Sequence, residues 1–235
     1  MRTNKLALAC GAALLGTSAL AQAELSANIG VASNYVWRGV TQTDDSAAIS
    51  GGIDWSHDSG FYVGTWASNV DFGPGSGEVE WDIYGGYGGE FGDFGYDVGY
   101  NYYAYPDTDD ADFGDIYGSL SWKWLSGGLY YTVNSDVDGP GMFQEGDLYG
   151  YLSVSFDLPQ DFSVGVTAGS YWFDDDGATV DGEKLDLDYN HYQLDIGKSA
   201  GDFGDFTMSF SVADDTAATG YDDDMKVFVS WNKSF

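Results

Sequence analysis

Seven carboxylates fall on the polar face of segments that otherwise alternate with apolar residues: Asp54, Glu80, Asp82, Asp97, Asp115, Asp157 and Asp195. Alternation at a period of two puts them on one side of extended chain. Three bases, Arg38, Lys123 and Lys226, share that face. Around a narrow water-filled tube, such a lining favours cations through close-range Coulomb attraction in a low-dielectric wall. The three bases would then form a partial ladder opposite the acids. The opposite disposition is a filled lumen, with the charges paired to one another and to tyrosine hydroxyls.

Two other groups invite chemistry. His191 shares the inward face, with Asn190 on the other side, whereas His57 falls in a predicted turn. Barrel lipases and acyltransferases pair a serine with a histidine, but no serine lies near His191 in sequence spacing. Asn134, Asp136 and Asp138, with Gly139 and Glu145, approximate a twelve-residue calcium loop, having oxygens at positions 1, 3, 5 and 12 and glycine at 6. Asn in place of Asp at position 1, and flanks that read as strands, depart from that pattern. Calcium in this loop, or bridging the Asp-rich loops to lipopolysaccharide, is the one metal expectation. No other cofactor is expected.

The elements that must position these groups are strands. Among 235 residues are 34 Gly, 18 Tyr and only 4 Pro, and aromatics make up 17%, too many for a disordered chain despite a formal charge of -30. That acidity also argues against nucleic acid as a partner. The single cysteine, Cys10, excludes thiol catalysis, cysteine-zinc sites and iron–sulfur clusters in the rest of the chain. Residues 1–23 read as a secretory signal: Arg2 and Lys5, an apolar Leu6 to Leu20, then Ala21-Gln22-Ala23. Beyond it no apolar run approaches the ~20 residues of a membrane helix.

Residues 24–235 divide into about twelve alternating segments: Leu25–Arg38, Ala47–His57, Phe61–Asn69, Glu78–Phe91, Phe94–Tyr105, Asp115–Trp124, Leu129–Asn134, Asp147–Leu158, Phe162–Phe173, Leu187–Lys198, Phe203–Val212 and Met225–Phe235. The turns near 58, 92, 126, 160 and 201 are short. The links 39–46, 70–77, 106–114, 135–146, 174–186 and 213–223 are longer and rich in Asp and Gly. This alternation predicts an all-β transmembrane antiparallel up-and-down barrel with short periplasmic turns and longer extracellular loops. Trp37, Trp55, Trp81, Trp122, Trp124, Trp172 and Trp231 are expected as an outward interfacial girdle. The last segment ends on Phe235, which suits a closing strand and a signal read by barrel-insertion machinery.

The stretch Asn34-Tyr35-Val36-Trp37-Arg38-Gly39-Val40-Thr41-Gln42-Thr43, with Ser50 to Asp54, Gly60 to Val70 and Glu80 to Tyr87, resembles the TorF-type putative porins of Gram-negative outer membranes. The resemblance implies an outer-membrane porin. It carries no substrate and no set of functional residues. Together these readings predict an outer-membrane channel passing small hydrophilic solutes or ions, with lipid and lipopolysaccharide around it. The alternatives are a non-conducting structural or adhesive barrel and an outer-membrane lipid-modifying enzyme.

Overall fold

The protein is described by a computed structural model covering residues 23–73, 78–137, 141–174, 179–180, 183–184, 186–214 and 221–235. In chain order the strands are β1 (Glu24–Ala32), β2 (Val36–Trp37), β3 (Val40–Thr41), β4 (Ala48–Ser56), β5 (Phe61–Asn69), β6 (Val79–Phe91), β7 (Phe94–Ala104), β8 (Phe113–Trp122), β9 (Leu125–Ser135), β10 (Leu148–Leu158), β11 (Phe162–Trp172), β12 (Thr179–Val180), β13 (Glu183–Lys184), β14 (Tyr189–Ser199), β15 (Asp205–Asp214) and β16 (Lys226–Ser234). Twelve of them form one closed antiparallel barrel; β2 pairs only with β3, and β12 only with β13.

Closure is made by the chain ends. Strand β16 pairs with β1 in a register that sets Val31 against Trp231, and the Phe235 amide donates to the Ala27 carbonyl at 2.8 Å. The wall closes on itself, so no strand is left as a free sheet edge. Two residues of the last strand, Phe228 and Lys233, depart from its apolar-out, polar-in alternation. Phe228 points inward and is buried, while Lys233 reaches from the wall to the Asp202 carbonyl in a neighbouring turn.

The alternation sorts the wall into two faces. Outward lie Ile29, Val31, Ile49, Ile53, Leu120, Leu152 and Val166, all with large exposed apolar side chains. Trp55, Trp81, Trp124 and Trp172 are likewise exposed at or near strand ends. Hydrocarbon solvates such a belt and water does not.

Two predicted boundaries are displaced. Leu25–Arg38 is not one strand: β1 stops at Ala32, and Trp37 turns inward instead of joining the girdle. Its ring packs against Tyr103, Phe113, Phe143 and Tyr171. The turn expected near 126 lies at Lys123-Trp124, and Gly127 and Gly128 sit inside β9. These glycines serve close approach rather than turning, since a Cβ on Gly128 would lie 2.8 Å from the Tyr151 ring. Lys123 is therefore no inward lining residue. It occupies the turn with φ of 56°, exposed, its ammonium 4.6 Å from the Trp122 ring.

Candidate functional site

The link 33–47, of which 39–46 is expected as an external loop and 33–38 as strand, folds into the barrel. Its tip is the hairpin β2–β3, turned at Arg38 (φ 46°) and Gly39 (φ 91°). Positive φ at both central residues is the geometry of a tight two-residue hairpin, which glycine accepts without cost and arginine does not. Several contacts hold the tip in place. Arg38 Nη2 pairs with Asp115 Oδ2 at 2.8 Å, and Nη1 donates to the Tyr171 hydroxyl at 2.9 Å. The Tyr189 hydroxyl donates to the Arg38 carbonyl at 3.0 Å, and the Tyr35 hydroxyl to Glu80 at 2.9 Å. Gly39 lies so close to His191 that no side chain fits between them.

The result is a closed layer in the half of the barrel nearer the long links. Every wall strand contributes a buried inward residue there: Gly30, Ala48, Ser68, Glu80, Asn101, Asp115, Thr132, Tyr149, Tyr171, His191, Ser211 and Phe228. Asp115 is 0% exposed and Tyr171 1%. Two apolar clusters reinforce the seal, one around Val40, Tyr149, Tyr171 and Tyr189, the other around Val70, Tyr103 and Phe113, with Phe143 reaching both.

Toward the short turns the lumen is polar and accessible. Asp54 accepts from the Tyr84 hydroxyl at 2.5 Å, and Asp97 from the Tyr62 hydroxyl at 2.6 Å. Tyr62 also meets the Tyr117 hydroxyl. These tyrosines lie flat on the wall because glycines stand beneath them: a Cβ on Gly99 would come within 2.6 Å of the Tyr117 hydroxyl. Asp157 faces inward beside Ser163, exposed near the short-turn end.

The candidate residues thus separate by level. Arg38, Glu80, Asp82, Asp115 and His191 belong to the closed layer, whereas Asp54, Asp97 and Asp157 line the open vestibule. Asp195 is buried between Ser209 and Gln193, with hydrogen bonds of 2.6 and 2.9 Å. Lys226 stands at the long-link rim, bonded to Asp45 at 2.7 Å and to Asp222 at 2.9 Å. His191 Nε2 pairs with the Tyr149 hydroxyl at 2.8 Å; its Nδ1 and the Ser211 hydroxyl are buried with no hydrogen-bond partner among the described residues.

Of the calcium-loop residues, Asn134 accepts the Tyr100 hydroxyl at 2.7 Å, on the outer side of a bulge between β8 and β9. Asp136 donates its amide to the Asp112 carbonyl, Glu145 lies in a turn, and Asp138 falls outside the described residues. Among the described residues, no group of three or more His, Cys, Asp or Glu is arranged to hold a metal ion.

The aromatic lining of the closed layer escaped the sequence reading. Tyr103, Tyr149, Tyr171 and Tyr189 each follow the period-two alternation, but a period does not say that a loop will come in to cover them.

Comparison with solved structures places the barrel beside porins. A KdgM porin superposes with a TM-score of 0.57 at 10% identity, covering 89% of this chain and 99% of that one. A KdgM porin in complex with disordered oligogalacturonate gives 0.54 at 6% identity, covering 90% and 97%. A NanC porin gives 0.51 at 12% identity, covering 89% and 98%. At these identities the likeness is one of fold. No curated protein matches the sequence. The profile described as "Bacterial protein of unknown function (Gcw_chp)" matches residues 17–218, and the chain belongs to that family.

Proposed function

We propose that the protein is an outer-membrane porin-like channel for small hydrophilic solutes or ions, cation-favouring, and closed in the conformation described here by its own link 33–47. One observation carries this reading. An acidic vestibule, lined by Asp54, Asp97 and Asp157, leads from the short-turn end to a layer sealed partly by a loop rather than wholly by the wall. A barrel filled only by its wall side chains has no movable part. Here the hairpin tip is held by polar contacts of Arg38 and Tyr35 and by packing of Trp37 and Val40, none of which belongs to a wall ladder. The apolar outer belt and the fold shared with porins support insertion in the outer membrane. So does the predicted signal at residues 1–23, and the resemblance to TorF-type putative porins points the same way. Phe235, at the end of the closing strand, suits recognition by insertion machinery, and lipopolysaccharide would surround the long links.

The test is conductance of the refolded barrel in a planar bilayer with a KCl gradient. Discrete, rare openings with a cation-shifted reversal potential are expected, and Asp54→Asn with Asp97→Asn should reduce that shift. An anion-shifted potential would overturn the cation preference. A permanently silent, heat-modifiable barrel would favour the second reading, a non-conducting structural barrel, to which the completeness of the sealed layer also lends support.

A further inference from the structure

The sealed layer contains a guanidinium receptor. Arg38 Cζ lies 4.4 Å from the Tyr149 ring centroid, 4.7 Å from Tyr130 and 5.1 Å from Tyr171. Its own neighbour Trp37 adds a fourth ring at 4.1 Å. In-plane N–H groups reach Asp115 at 2.8 Å and the Tyr171 and Tyr103 hydroxyls at 2.9 and 3.4 Å. Ring faces around a planar delocalised cation, with a carboxylate and hydroxyls taking its N–H donors, are the recognition chemistry of a guanidinium.

The receptor and the group it holds belong to different parts of the fold. Asp115, Tyr130, Tyr149 and Tyr171 stand on four successive wall strands, β8 to β11, tied by ladders that are interrupted only by the bulge beside Asp115. Arg38 stands on the movable tip. When the tip withdraws, the receptor stays and loses its cation. Glu80 and Asp82 lie within electrostatic reach of Arg38 and would be left with it. Asp82 Oδ1 and Asn101 Oδ1 are buried acceptors with no hydrogen-bond partner among the described residues, and Asn101 is the cross-strand neighbour of Asp115. They continue the row of acceptors beyond the cage, where further N–H donors of a longer solute can bind.

We propose that Arg38 fills, as a tethered stand-in, a wall site for small organic cations carrying a guanidinium group, and that such cations are the solutes the channel admits. This rests on the channel reading above and narrows its solute class. A free ligand must compete with a tethered one, whose effective concentration on a short link is on the order of millimolar. Admission therefore sets in at about millimolar solute or above.

The test compares methylguanidinium with methylammonium, as chloride salts at equal concentration, on the refolded barrel. In Arg38→Ala the cage is emptied. Methylguanidinium is expected to raise the melting temperature with half-saturation at about 1–10 mM, and methylammonium to need at least ~10-fold more, since it offers no planar face or fork. Arg38→Met, which fills the cage with an apolar side chain, should respond to neither. In the unsubstituted barrel, tens of millimolar methylguanidinium should raise the open probability in a bilayer while methylammonium does not. Equal responses to the two salts in Arg38→Ala would overturn the proposal. If that variant fails to refold, equal responses of the unsubstituted barrel would do so. Preferential binding without conductance under any condition would sustain the cage and overturn the channel. Conductance without preference would do the reverse.

Discussion

Replacing Asp115 by Asn isolates what the buried ion pair does for the closed state. Asn has the same shape and keeps an oxygen to accept from Thr132, which now donates to Asp115 at 2.8 Å. What disappears is the charge opposite Arg38. Both partners are nearly inaccessible, with side chains 5% and 1% exposed, so water cannot replace the lost carboxylate while the hairpin stays docked. Leaving one member of a buried pair uncompensated costs about 3–5 kcal/mol. Glu80 and Asp82 still bear on Arg38, and the tyrosine hydroxyls remain, so the lower end, about 3 kcal/mol, is the better figure. The cheapest relief is withdrawal of the hairpin into water, because unfolding the wall would break the ladders of twelve strands. At 1.4 kcal/mol per factor of ten, the docking equilibrium shifts roughly 100-fold. Hydrogen exchange reads this directly. The Gln42 amide donates to the Tyr35 carbonyl inside the hairpin at 2.7 Å, and the Asp71 amide to the Gln42 carbonyl at 2.8 Å. Both should exchange about 100-fold faster in Asp115→Asn, with wall amides unchanged and bilayer openings more frequent in step. A folded variant in which these two amides exchange within about threefold of the unsubstituted rate would refute the reasoning, since the pair would then not be what holds the hairpin.

The remaining predictions concern a glycine and a carboxylate. Gly39→Ala should open the channel more than Gly73→Ala. Both positions have positive φ, 91° and 99°, but a Cβ on Gly39 meets His191 whereas one on Gly73 meets nothing within 4 Å. Bilayer recordings of the two variants check this, and equal open probabilities would show that contact with His191 does not seat the tip. Asp147, in the link before β10, accepts the Gln144 and Asp174 amides at 2.8 Å each. Burial pushes its carboxyl up to about 6. That lies above the ~3.9 of an unfolded chain, so the folded protein binds the extra proton. Stability should therefore decline as pH rises from ~4 through 6 and level off above. Asp147→Asn should flatten that part of the melting-temperature profile, and an unchanged slope would assign it to other groups.

The sequence by itself determined the wall. Period-two alternation puts apolar side chains on one face wherever the chain is extended, and strict alternation of short and long connections leaves an up-and-down order as the natural one. Alternation over Met225 to Phe235 marked the last segment as a strand, and the pairing of β16 with β1 makes it the closing one. Errors within the wall were local. Gly127-Gly128 looked like a turn because glycine supports both turning and close packing, and only the neighbouring Tyr151 ring tells which is in force. The state of the lumen was not legible. Trp37 and Arg38 continue the alternation of β1, so a periodicity argument extends the strand through them and points the tryptophan outward. The break comes from contacts far along the chain: a carboxylate at 115, tyrosines at 130, 149, 171 and 189, and a histidine at 191 whose ring leaves room only for glycine. The Asn34 to Thr43 stretch that carries the family resemblance is the segment that forms this plug, but nothing in its own residues says where it goes. Each strand's inward face was written in the sequence. Whether those faces enclose water or a loop depends on distances across a closed barrel, and these exist only once all twelve strands have met.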